Sequence, residues 1–435
     1  MANATIQART LKGFRDIPPP AMRRRNAIVA LAQKTLELHA FQPIATPVLE
    51  YTEILLGKGA GETEKQVYRF LDAGQRDVAM RYDLTVPLAR YASQHRSEMT
   101  FPFKAYQIGL VWRGENAQRG RYREFMQCDF DILGTDSSVA DAEILAVAAK
   151  LVRSFFGEEF ALHVNSRGLL RRFLEQVAPE ADLVVVLRSL DKLRKIGEEK
   201  VVAEMREFTA VTEEQAKALL AMAALHGTPD RVRVGLEQLV SGAGEWDEFK
   251  RLESTVRMAY ATGVAQHQIH MDLSIARGLD YYTGLVFETF ATKTPEVGSI
   301  CSGGRYNNLT GLYGEQTPGV GGSVGVDRLM SLLEPEVVAP AQVVLLNLGA
   351  PEHLFRIASA LRERGVSCEV FPEERKLKQQ LKFADQVGAK FAVLAGSSEL
   401  ERGVCQVKNL STGQGVDVPL TDVAMHLADQ LSSAS

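Results

Sequence analysis

The segment from Phe103 to Leu133 constrains the fold more than any other part of the chain. Apolar and polar residues alternate there on both sides of a polar loop, Gly114-Glu115-Asn116-Ala117-Gln118-Arg119-Gly120. Strand side chains point to opposite faces with a period of two. Met126, Cys128, Phe130 and Ile132 therefore share one face. Arg121, Arg123, Phe125, Gln127, Asp129 and Asp131 share the other. The upstream strand sorts the same way, with Tyr106, Ile108, Leu110 and Trp112 against Gln107, Gly109 and Arg113. The pattern predicts a hairpin with one core face and one chemical face. A register that pairs Arg113 with Arg121 sets Gln107 opposite Gln127 and Gly109 opposite Phe125. Two arginines directly across a hairpin repel each other, and an anion between them removes the repulsion. Guanidinium forks suit phosphate oxygens, and the missing side chain at Gly109 leaves room for a flat ring over Phe125. The other reading of the polar face is a solvated outer face of an edge hairpin, which must also explain a phenylalanine in mid-face.

The rest of the chain arranges itself around this hairpin. Met22–His39 reads as an amphipathic helix behind the breaker Pro18-Pro19-Pro20, and Ser138–Phe155 as a second helix. From about residue 166 to 263 the pattern is almost wholly helical, as in an insertion. Strand patterns return at Gln268–Ile275 and Gly284–Phe290. A glycine-rich run, Ser302 to Gly325, precedes a helix at Val326–Leu333. Residues 334–340 read as a linker. After it, an apolar strand (Val343–Leu348), a helix (Glu352–Arg364), a strand (Cys368–Phe371), a Lys-rich helix (Glu374–Gln386) and a strand (Phe391–Ala395) predict a compact α/β domain with a partly parallel sheet. The domains expected are thus 1–333, with its insertion, and 341–435.

Composition excludes more than it selects. Of 435 residues, 46% are hydrophobic and 24% charged, the balance of a globular protein. The net charge of -4 gives no bulk attraction for nucleic acid, so any RNA contact must be a local patch. No run of about 18 apolar residues suggests a membrane span, and the first twenty residues carry no apolar signal core. Cys128, Cys301, Cys368 and Cys405 include no CxxC pair and read as reduced, mostly buried thiols of a cytoplasmic protein. His267 and His270 lie three apart with no third ligand, so no metal site of the protein's own is expected.

Tyr106-Gln107-Ile108-Gly109-Leu110-Val111-Trp112-Arg113 and Gly120-Arg121-Tyr122-Arg123-Glu124-Phe125-Met126-Gln127 together resemble motif 2 of class II aminoacyl-tRNA synthetases, in its histidyl-tRNA synthetase form. Arg277-Gly278-Leu279-Asp280-Tyr281-Tyr282-Thr283-Gly284 is similar to a signature of that family, as is Ser302-Gly303-Gly304-Arg305-Tyr306. Gly321–Leu329 resembles class II motif 3, and Arg81-Tyr82-Asp83-Leu84-Thr85 resembles the segment that holds the substrate amino group. Pro47 matches the motif 1 proline of the dimer interface. Leu377–Asp385 resembles part of the anticodon-binding domain. In the motif 2 loop, Asn116-Ala117 stand where many bacterial members have Arg-Pro.

The resemblance implies a class II antiparallel sheet of six strands flanked by helices, in an α+β catalytic domain with a helical insertion and a C-terminal α/β anticodon-binding domain. It implies a homodimeric ligase that activates L-histidine with ATP and Mg2+ and transfers it to tRNA(His). Arg113 and Arg277 would stabilise the charge of the reaction. Asp83, Leu84, Thr85, Arg113, Gln127, Asp131, Arg277, Tyr281 and Tyr282 would bind histidine. Arg113, Glu115, Arg121, Phe125 and Arg328 would bind ATP. The competing expectation is a non-catalytic, histidine-sensing paralogue resembling the regulatory subunit of ATP phosphoribosyltransferase. Such chains usually lack the C-terminal domain and the Arg277 signature.

Overall fold

The computed structural model describes residues 6–57, 63–115, 122–209, 211–275, 281–333 and 339–433. The chain divides into two compact units, Met1–Glu334 and Pro335–Ser435.

The first unit is built on a sheet whose strands are β1 (Gln42–Pro43), β5 (Phe103–Trp112), β6 (Glu124–Leu133), β7 (Phe160–Ser166), β8 (His226–Gly227), β9 (Ile269–Asp272), β10 (Leu285–Ala291), β11 (Cys301–Arg305) and β12 (Gly319–Gly325). A separate small sheet holds β2 (Leu49–Tyr51), β3 (Arg69–Leu71) and β4 (Asp77–Met80). The main sheet runs in the order β1-β5-β6-β12-β11-β10-β7-β9-β8. Six contiguous strands, β5 to β7 in that order, are antiparallel. The expected six therefore form the centre of a nine-stranded sheet. The three extra strands extend its edges: β1 and β9 join in parallel, and β8 closes on β9.

The hairpin sorts its faces as the period of two requires. Cys128, Phe130 and Ile132 bury themselves against Ile28 and Leu36 of the helix Pro19–Leu38 and Ile144 and Leu145 of the helix Ser138–Phe156. The Ser137 hydroxyl accepts the Val139 N–H at 3.1 Å and starts the second of these helices. At about 25 cal/mol per Å² of apolar surface removed from water, this interdigitated layer is the main source of stability behind the site.

The register differs from the expected one. Gly109 lies opposite Gln127 and Val111 opposite Phe125, and the Arg113 N–H donates to the Arg123 carbonyl at 2.9 Å. The partner of Arg113 is therefore Arg123, not Arg121. A shift of two residues leaves every side chain on its own face, which is why the alternation could not detect it. The shift is fixed from outside the hairpin: Arg123 donates its own N–H to the Gly13 carbonyl of the N-terminal segment.

The helical stretch runs from Arg167–Val177 to Asp247–Ala261 and is interrupted by the two-residue β8. Its apolar stripes, including Leu169, Phe173, Leu219, Phe249 and Val256, merge into the core behind the main sheet.

In the second unit, β13 (Val343–Leu346), β14 (Cys368–Val370), β15 (Phe391–Leu394), β16 (Val404–Asn409) and β17 (Gly415–Pro419) form a sheet in the order β14-β13-β15-β16-β17. The first three strands are parallel and the last two are added antiparallel. Helices Pro351–Glu363 and Val423–Ser432 cover one face, and Leu377–Gln386 the other. The strand–helix rhythm read from the sequence thus continues into an unexpected hairpin and a final helix. The hairpin turn is set by Asn409, whose side chain accepts the Ser411 and Thr412 N–H groups, and by Gly413 at φ 73°.

Candidate active site

The chemical face of β5 and β6 forms the floor of a cavity of about 320 Å³. Ten of the residues singled out by sequence line it: Asp83, Thr85, Arg113, Glu115, Phe125, Gln127, Asp131, Tyr281, Tyr282 and Arg328. They come from four separate stretches of chain, which only the tertiary fold brings together. Leu84 is different. Its side chain is fully buried, and its carbonyl accepts from the Gln107 amide at 3.0 Å, so its contribution is to the frame. Arg121, Arg277, Asn116 and Ala117 lie outside the described residues.

One end of the cavity is acidic and phenolic. Asp83, Asp129 and Asp131 are each about 2% exposed. Asp83 accepts the Val86 N–H at 3.1 Å and the Tyr281 hydroxyl at 3.2 Å. Tyr306 donates its hydroxyl to Asp131 at 2.6 Å. Rings of Tyr281 and Tyr282 meet edge to face at 5.0 Å, and Tyr281 meets Tyr306 at 5.9 Å. Gly321 makes the fit possible: a Cβ there would lie 1.8 Å from Asp131 Oδ1.

Burial controls the protonation of this end. It pushes Asp83 up to about 6 against the opposing Val86 N–H, Arg113 and Tyr281. It pushes Asp129 up to about 7, with the neighbouring Asp83 charge adding to the effect. Asp131 stands well above the usual carboxylate range, through burial and then the Asp129 charge. The phenols of Tyr281, Tyr282 and Tyr306 are pushed up by burial as well and stay neutral hydrogen-bonding groups. Three crowded carboxylates favour a ligand that carries positive charge and N–H donors.

The other end is cationic and aromatic. The Arg113 guanidinium lies 5.2 Å from the centre of the Phe125 ring and donates to the Tyr82 carbonyl at 2.9 Å. Arg328 donates to the Ser299 carbonyl at the cavity wall. Two expectations about this end are corrected. Gly109 leaves no open space for a ring, because the Arg81 guanidinium fills it: a Cβ on Gly109 would sit 2.5 Å from Arg81 Nη2. Arg81 is fixed there by the Leu110 and Thr46 carbonyls, at 3.0 and 2.7 Å. Nor do paired arginines wait for an anion. Arg123, the true partner of Arg113, donates to the Glu115 and Lys12 carbonyls.

Several lining residues were not selected from sequence. Asp129 shared a strand face with Gln127 and Asp131, and that period was the available signal. Tyr306 closes a glycine-rich signature whose partner on β6 is invisible locally. Asp327 is a hub: its carboxylate accepts from Arg15, from Arg25 at 2.9 Å and from the Met126 N–H at 2.6 Å. Arg15 also lies 3.7 Å over the Tyr122 ring. The N-terminal segment is thereby strapped to the wall of the cavity, which Tyr122 and Asp327 line. Among the described residues no group of three His, Cys, Asp or Glu is placed to hold a metal ion. The cysteines are free, three buried and Cys368 half-buried.

A family model described as histidyl-tRNA synthetase matches residues 13–329, and one described as an anticodon-binding domain matches 342–430. The chain is 46% identical to the histidine–tRNA ligase of Rhodopirellula baltica over 426 residues, covering 95% of this chain and 96% of that one. It is 41% identical to that of Treponema denticola over 441 residues, covering 98% and 96%. The crystal structure of histidyl-tRNA synthetase from Nostoc sp. PCC 7120 superposes with a TM-score of 0.84 at 31% identity, covering 98% of this chain and all of the other. A Bacillus halodurans structure described as an ATP phosphoribosyltransferase regulatory subunit/histidyl-tRNA synthetase shares the fold, with a TM-score of 0.73 at 20% identity over 88% of this chain and 97% of the other. With both domain models matched and such identity across nearly its whole length, the chain belongs to the histidyl-tRNA synthetase family.

Proposed function

We propose that the chain activates L-histidine with ATP and transfers it to the 3′ end of tRNA(His). The observation that carries this reading is the polarity of this cavity, acidic and phenolic at one end, cationic and aromatic at the other. The acidic end suits an ammonium and an imidazole; Asp83, Thr85, Gln127, Asp131, Tyr281 and Tyr282 would hold them. The cationic end suits a nucleoside triphosphate, with Phe125 beneath the base, Glu115 at its amine, and Arg121 and Arg328 on phosphate oxygens. The histidine carboxylate attacks the α-phosphorus in line, an O–P bond forms, and the bond to pyrophosphate breaks. Arg113 and Arg277 stabilise the charge that accumulates there. A ribose hydroxyl of the tRNA terminus then attacks the acyl carbon, and AMP leaves.

Mg2+ would enter with the phosphates, which supply most of its oxygen ligands and screen the approaching carboxylate. A homodimer is favoured by the small sheet, where Leu49, Tyr51 and Phe70 share one face and are 45%, 50% and 46% exposed. The second unit would bind the anticodon, and the site of action would be the cytoplasm; no helix among the described residues is long and apolar enough to cross a membrane. The histidine-sensing alternative loses ground to the full-length ligase relatives.

The test is ATP–pyrophosphate exchange with each of the twenty amino acids, without tRNA. Exchange with histidine alone is expected, and Arg277→Ala should abolish it in folded protein. Histidine binding without exchange in the wild type would point to the sensing paralogue instead.

A further inference from the structure

We propose that Ser323 and Asp129 are positioning residues that lock the Gln127 side-chain amide with its oxygen facing the ammonium of the bound amino acid. The inference rests on the reading that histidine occupies this cavity. It follows from counting protons on one hydroxyl. Ser323 on β12 lies opposite Asp129 on β6, and its hydroxyl donates to Asp129 Oδ1. A serine hydroxyl has a single proton, so toward Gln127 it can only accept. Gln127 Nε2 supplies that bond at 2.8 Å. The amide nitrogen being committed, Gln127 Oε1 is left on the other side. It is buried with no hydrogen-bond partner among the described residues, and Gln127 lines the cavity.

A buried acceptor without a donor is costly unless a ligand completes it. The neighbouring acids do not need one in the same way: Asp83 has the Val86 N–H and Tyr281, and Asp131 has Tyr306. Burial pushes Asp129 up to about 7, with the Ser323 hydroxyl, the Arg113 charge and the Leu84 N–H working against it; its Oδ1 accepts the Ser323 proton whether or not Oδ2 carries one, and an arriving ammonium favours the ionised form. A flipped amide would present its NH2 to the ammonium, donor against donor. The relay prevents this by holding the amide nitrogen on the Ser323 hydroxyl.

The test is Ser323→Ala, which removes the hydroxyl and leaves the strand. ATP–pyrophosphate exchange gives KM for histidine and for ATP. Competitive inhibition by imidazolepropionate, which is histidine without its amino group, isolates the rest of the pocket. We expect the histidine KM to rise about tenfold, as for loss of a hydrogen bond to a charged group. The ATP KM and the imidazolepropionate inhibition constant should each stay within about twofold, and the urea midpoint near the wild-type value. Equal weakening of histidine and imidazolepropionate would mean that Ser323 merely packs the pocket, and it overturns the proposal. So does an unchanged histidine KM. A wild-type chain that exchanges with no amino acid refutes the reading beneath the proposal, whereas these two outcomes refute the relay alone.

Discussion

Replacing Asp327 by alanine should destabilise the first unit severely, because this carboxylate answers three donors at once. Their exposures decide the size of the effect. The Arg15 side chain is 31% exposed and can turn to water, so its loss matters little. Arg25 is 8% exposed and Asp327 4%, so the second guanidinium stays in the core without its counter-charge. Removing one partner of such a buried pair costs about 3–5 kcal/mol, and the stranded Met126 N–H adds about 1 kcal/mol or more. Local relaxation makes these non-additive, and about 4 kcal/mol is the expected total. Urea unfolding followed by tryptophan fluorescence measures it cleanly. Both tryptophans, Trp112 and Trp246, lie in the first unit, so the second is silent. Asp327→Asn, which keeps an acceptor oxygen, should lose less. Asp327→Leu with Arg25→Met, which replaces the pair by apolar groups, should recover most of the stability. A loss below about 1 kcal/mol for Asp327→Ala, or no recovery in the double variant, would refute the argument that the buried charge pair sets the cost.

Two further perturbations probe the cavity. Gly321→Ala puts a methyl 1.8 Å from Asp131 Oδ1; it should cost about 1–3 kcal/mol by overpacking and raise the histidine KM far more than the ATP KM, and a normal histidine KM would show that Asp131 is not where the ligand binds. Asp83 stands up at about 6 in the folded chain because of burial, so it favours folding below its unfolded value near 4 and loses that contribution as pH rises through about 6. Asp83→Asn should therefore stabilise the unliganded protein at pH 8 by about 3 kcal/mol, have little effect at pH 4, and weaken histidine binding. Equal melting temperatures for wild type and variant at both pH values would contradict this.

Sequence alone determined what depends on local geometry. The period of two put Gln127, Asp129 and Asp131 on one face of β6 and Cys128, Phe130 and Ile132 on the other, because successive strand side chains must alternate. The helical periodicities and the strand–helix rhythm after residue 339 were legible for the same reason. Only the tertiary structure decided the register of β5 against β6, since a slip of two preserves every face and the anchoring Gly13 carbonyl lies more than a hundred residues away. It also filled the gap above Gly109 with Arg81 and gathered Arg15 and Arg25 on Asp327 across 312 and 302 residues. It set Ser323 against Asp129 and Gln127 across 194 and 196. No local pattern links positions so far apart; they meet because a glycine-rich β12 can lie tightly against β6, and the hydrogen bonds formed there fix which atoms face the ligand.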